Sequence, residues 1–144
     1  MKTLDWNEIQ IGDEITPMHI DVTATVVVAG AIATRDFMPV HHDRDYANSQ
    51  GAPEIFMNIM TDNAYCSRFL TDWAGPEVMV KRIAIRLGVP AVAGSKLAFT
   101  GSVTGKSRVD GEGIVEVALR ATNDRGDHLS GTAVLGLPLA EPRA

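Results

Sequence analysis

A change of hydrophobic period divides this chain. Ile55, Ile59, Asn63, Cys66, Leu70 and Trp73 recur at the three- and four-residue spacing of one helix face. Further on, "VMVKRIAIRLGV", "SKLAFTGSVTG", "GIVEVALRATN" and "HLSGTAVLGLPL" alternate apolar and polar residues, separated by "PAVAG", "VDGEG" and "NDRGD". The pattern predicts a helix of roughly 15 to 19 residues followed by four strands in series. Asp110-Gly111 suits a tight hairpin and Gly126 the left-handed position of a longer one, so these connections are expected to be antiparallel. Before the helix, "EITPMHIDVTATVVVAGAIAT" is rich in β-branched residues and reads as strand. One long helix and a run of antiparallel strands make an α+β protein, its sheet wrapped around a single central helix. A lone helix of that length is marginal in water, so its burial against the sheet, at about 25 cal/mol per Å² of apolar surface, must supply most of its stability.

The chain has 144 residues, 45% of them apolar and 22% charged, so one core over residues 1–144 with no second domain is expected. No internal repeat interrupts it, and a short frayed tail, "AEPRA", closes it. Net charge is −5 without a basic block, which argues against nucleic acid. The single Cys66 rules out an intramolecular disulfide, and "MKTLDWNEIQIGDE" lacks the apolar core of a secretory signal, which makes the cytoplasm the expected location. No apolar run approaches the roughly 18 residues a membrane span needs.

The densest chemistry lies in "ATRDFMPVHHDRDYANSQG", residues 33 to 51. Pro39 cannot continue a central ladder and biases Met38 away from helix, so a strand is expected to end there. "HHDRDYA" then reads as a short helical turn capped by Asp43. Such a corner can aim Asp36 and His41 at one point, and a carboxylate beside an imidazole suits proton transfer at neutral pH. By spacing alone such a pair in a polar loop is more often capping, turn chemistry or surface solvation.

Other features have plainer readings. His41, His42 and Asp43 form no spaced metal-ligand pattern, so no metal is expected. His19 and His128 sit in strand patterns and read as partly exposed polar residues, and Cys66, on the helix among apolar neighbours, reads as packing rather than a nucleophile. Trp73 in "TDWAGP" reads as core packing at a helix stop. Arg35 is placed to hold Asp36 ionised or to reach solvent. Lys81, Arg82, Arg86 and Lys96 read as solvated strand cations.

"RDFMPVHHDRDYA" resembles the signature of the MaoC-like (R)-specific enoyl-CoA hydratases, D-x-N-P-x-H followed by Asp, Tyr and Ala. Asp36, Pro39, His41, Asp43, Tyr46 and Ala47 fall on matching positions, and "IQIGDEI" and the strand order extend the likeness over most of the chain. Two departures stand out: Met38 replaces the pattern's Asn, and "EIFMNIMT" replaces a His-Gly pair at the start of the long helix. "ATRDF", "VHHDRD", "IF", "TDWAGP" and "RLGVP" are similar to a narrower group, the small MaoC-like subunits of two-component enoyl-CoA hydratases acting on steroid side chains.

The resemblance implies a hotdog fold and reversible addition of water to a 2-enoyl-CoA. Asp36 and His41 would hold the water, deliver hydroxide to the β carbon and return a proton to the α carbon. The backbone N–H of Asn58 would polarise the thioester carbonyl, and Met38, Phe56 and Met57, with Met60 nearby, would line the acyl pocket. No cofactor is implied beyond the coenzyme A of the substrate. The implied partner is a second MaoC-like chain in a heterotetramer of double hotdogs, with the pocket between chains. Two alternatives stay open: a non-catalytic partner subunit, and a hotdog thioesterase whose carboxylate directs water at the thioester carbonyl.

Overall fold

A computed structural model describes residues 2–139; the tail expected at 140–144 lies outside the described residues. Five antiparallel strands form one sheet in the order β1-β3-β4-β5-β2. They are β1 (Glu14–Asp21), β2 (Met79–Leu87), β3 (Lys96–Val109), β4 (Glu112–Asn123) and β5 (Gly126–Pro138). The four strands expected after the helix all form, and β3, β4 and β5 pair in sequence as hairpins. At the β3–β4 turn Asp110 and Gly111 both take positive φ, 49° and 81°, which matches the twist of a tight hairpin.

The central helix, Ile59–Ala74, has 16 residues, within the expected length. It is the third helix in chain order, α3. Asn58 caps its start, and Gly75, at φ 101°, ends it. Cys66, Phe69, Leu70 and Ala74 face inward and meet Phe99, Leu97, Val117 and Leu135 of the sheet in one continuous core. Gly101 leaves room for Phe69: a Cβ there would lie 3.1 Å from its ring and 3.0 Å from the Ala118 carbonyl.

The segment after β1 corrects the sequence reading. Residues Ala24–Ala33, expected as strand, form helix α1. Thr23 caps it by accepting from the Val26 N–H, and the isolated β propensity of Val26, Val27 and Val28 yields to tertiary burial of Val27 and Ala31. Gly30 allows the docking, because a Cβ at that position would overlap Thr61 Oγ1 on the first turn of α3. Asp36 therefore follows a helix rather than a strand. A 3-10 turn (Pro39–His41) and helix α2 (Arg44–Ser49) come next. Asp43 caps α2 as expected, accepting from the Tyr46 N–H at 3.0 Å.

Candidate active site

Asp36 is positioned by the way α1 ends. The Arg35 N–H donates to Ile32 O and the Asp36 N–H to Ala31 O, the paired bonds of a Schellman closure, with Arg35 in the left-handed region at φ 56°. His41 is positioned by the Pro39 turn, whose N1 proline presets the dihedral angle. The two side chains meet with His41 Nε2 and Asp36 Oδ2 3.2 Å apart. His41 is buried, whereas the Asp36 side chain is 33% exposed, so the pair opens to one side.

The imidazole is fixed from behind. Its Nδ1 lies 2.6 Å from the Phe56 carbonyl oxygen, which only accepts, so Nδ1 carries the hydrogen and Nε2 faces Asp36. The Phe56 ring packs edge-on against it at 5.2 Å. Asp36 receives two N–H donors besides: Asn58 Nδ2 at 3.0 Å on Oδ2 and the Met38 N–H at 3.2 Å on Oδ1. The Asn58 hydrogen bond is the foremost cause holding the Asp36 carboxyl below its ordinary range; partial burial opposes it, and the Met38 N–H and His41 add to it. The ionisable partner facing Asp36 is thus His41, and Arg35 acts through its backbone.

Beside the pair, Val28, Ala31, Ile32 and Phe37 line a mostly apolar cavity of about 380 Å³ that reaches Asp36 and His42. Ile32, Phe37, Met38, Ile59 and Met60, all exposed, extend this apolar surface around Asp36 and the start of α3. Another concavity, lined by Glu14, Thr100, Ser102, Ala118, Arg120 and Ser130 among others, has no histidine in its lining.

Of the residues singled out in the sequence, the fold brings together Asp36, His41, Asn58, Phe56 and the backbone of Met38. Of the three residues expected to line the acyl pocket, Met57 is buried in the core, and Met38 and Phe56, like it, are not among the lining residues of the cavity beside Asp36. Cys66 is fully buried, its thiol pushed up to about 12 by burial and then by the Asp62 charge, which removes it as a nucleophile. His128 differs from expectation. It is 2% exposed, with Nδ1 2.7 Å from Val89 O and Nε2 2.9 Å from Asp62 Oδ1. Ala121 pairs with Leu129 while Thr122 pairs with Asp127, so His128 is the extra residue of a bulge, and both it and Leu129 turn inward. Thr34 and the side chain of Asn58 were not legible, because the bonds that place them span 22 and 24 residues of sequence.

Comparison with known proteins agrees with this architecture. No family model matches the chain. A Mycobacterium tuberculosis protein named 3-oxo-4,17-pregnadiene-20-carboxyl-CoA hydratase beta subunit is 44% identical over 127 residues, 88% of this chain and 95% of that one. A chain in the crystal structure of the ChsH1-ChsH2 complex from the same organism superposes with a TM-score of 0.83 at 41% identity, over 89% of this chain and 98% of its own. The R-hydratase PhaJ1 of Pseudomonas aeruginosa shares the fold, with a TM-score of 0.84 at 20% identity over 99% of this chain and 93% of its own. The chain belongs to the MaoC-like hotdog family of enoyl-CoA hydratases.

Proposed function

We propose that this chain is the catalytic subunit of an enoyl-CoA hydratase acting on a bulky steroid side-chain thioester. The observation that carries the reading is the Asp36–His41 pair, 3.2 Å apart, opening beside an apolar cavity. The named activity of the Mycobacterium tuberculosis relative supports the substrate class. The acyl chain enters across Phe37, Met38 and Phe56, with Met57 supporting the wall from the core. The thioester carbonyl meets the N–H of Asn58 at the start of α3, where the helix terminus favours developing negative charge. Asp36 and His41 Nε2 hold one water. As its oxygen bonds to the β carbon, one proton passes to the pair. The pair returns one proton to the α carbon and ends as it began. The only cofactor chemistry is the coenzyme A carried by the substrate.

The exposed collar of Ile32, Phe37, Met38, Ile59 and Met60 is more apolar surface than a free face favours, and a second MaoC-like chain would cover part of it. Among the described residues strand β2 pairs on one side only, with β5, leaving an edge on which another sheet can continue. We assign the assembly as a heterotetramer of double hotdogs working in the cytoplasm.

The test is hydration of a steroid enoyl-CoA, followed by loss of the absorbance of the conjugated enoyl thioester, for this chain alone, with its co-expressed MaoC-like partner, and with Asp36→Ala or His41→Ala in that complex. Activity confined to the complex is expected, with kcat reduced about 10²- to 10⁴-fold by each substitution while KM changes little. Full activity in both variants would move the chemistry to the partner and make this chain a scaffold. Release of free CoA thiol would make it a thioesterase.

A further inference from the structure

We infer that the side chain of Asn58 is a positioning residue that orients the Asp36 carboxylate and holds it ionised for proton transfer, a role that rests on the hydratase reading of the same site. Asn58 sits at the cap of α3 and is 3% exposed. Its amide is fully used. Oδ1 accepts from the Thr61 N–H at 3.1 Å and from the Thr61 hydroxyl. Nδ2 donates to Asp36 Oδ2 at 3.0 Å and to Thr34 Oγ1 at 2.9 Å. The Thr34 hydroxyl in turn donates to Gly30 O at 2.8 Å, which leaves its oxygen free to accept. With all four bonds made, the amide cannot flip or swing, and the N–H aimed at Asp36 has a fixed direction.

That direction matters because Oδ2 is also the oxygen facing His41 Nε2. One carboxylate oxygen therefore meets a permanent donor and the imidazole together, while the Met38 N–H holds the other. A donor that cannot be deprotonated stabilises the carboxylate and not the acid, so Asp36 stays ready to accept a proton even as His41 changes charge. The remaining ionisable groups nearby are His42, which lines the same cavity, and the exposed Arg35 next to Asp36 in sequence. Neither supplies a hydrogen bond to the carboxylate among the described residues.

The test uses Asn58→Ser and Asn58→Asp. Both retain an oxygen able to cap α3, both leave the backbone N–H in place, and neither reproduces the amide donor. The first readout needs no substrate: the Asp36 carboxyl is titrated by ¹³C NMR in the full chain. Its midpoint is expected to rise in Asn58→Ser and further in Asn58→Asp, where a second carboxylate faces the first. The second readout is the pH profile of hydration in the complex, where the acidic limb should shift upward and kcat fall about 10- to 100-fold with KM nearly unchanged. An unmoved Asp36 midpoint in both variants overturns the inference. Loss of the hydratase reading is a separate result, seen when Asp36→Ala retains full activity; a moved midpoint with that result would leave Asn58 orienting Asp36 but for no hydration chemistry.

Discussion

Asp62 and His128 form a second acid–base pair, wholly enclosed, one helical turn from Asn58. Both ring nitrogens of His128 face acceptors, Val89 O and Asp62 Oδ1, so two N–H bonds are satisfied when the imidazole is protonated. Burial pulls the His128 value down, but the hydrogen bond and charge of Asp62, with the Val89 carbonyl, outweigh it and raise it above the ordinary 6.5. A value raised in the folded state means that the pair stabilises fully below pH 6.5, and that this contribution fades as pH rises through the folded value. Thermal denaturation from pH 6 upward should show a declining Tm that His128→Gln flattens. His128→Ala should cost about 3–5 kcal/mol in chemical denaturation, because it leaves Asp62 buried and unpaired. Asp36 and His41 could be picked out from the sequence because their residue types, proline and spacing carry the chemistry locally. His128 could not, since the bulge at Asp127–Leu129 inverts the inside–outside alternation with no glycine or proline among those three residues.

Helix α1 is the element on which sequence and structure part. Its β-branched run favours strand, and its lack of a polar face hides the helical period. What selects helix is the local cap at Thr23 together with long-range contacts, Val27 and Ala31 in the core and Gly30 against Thr61. Gly30→Val should therefore lose about 1–3 kcal/mol by overpacking, and should depress activity as well, since α1 carries Thr34 and Asp36 with it. Denaturant unfolding and turnover in the complex check the two parts. The end of α1 invites the opposite change. Arg35 in the left-handed region carries a cost of about 1–2 kcal/mol, and glycine there would remove it against an entropy loss of about 0.5–1 kcal/mol. Arg35→Gly should leave stability unchanged or raise it by up to about 1.5 kcal/mol, with Asp36 undisturbed; Arg35→Val should lower it. The central helix and the four following strands were legible because their periodicities are regular over many residues. The corner at Pro39 was legible only in part, its proline being clear and the helix leading into it not.

At the scale of the whole molecule, the sheet and α3 act as a frame that brings residues 34–41 to residues 56–58. The apolar collar and the open side of β2 give that frame two surfaces to share. Size-exclusion chromatography with light scattering should find the co-expressed pair as a heterotetramer, and a charge placed on the collar, Phe37→Asp, should weaken assembly or substrate binding while leaving the fold of this chain intact by circular dichroism. The saturated amide of Asn58 also limits how a lineage carrying this site can drift. Thr34, Asp36, Asn58 and Thr61 share one set of bonds, so a replacement tolerated at one position depends on what stands at the other three. Such positions exchange together or not at all, and related chains should fall into discrete combinations at these four sites rather than a continuum.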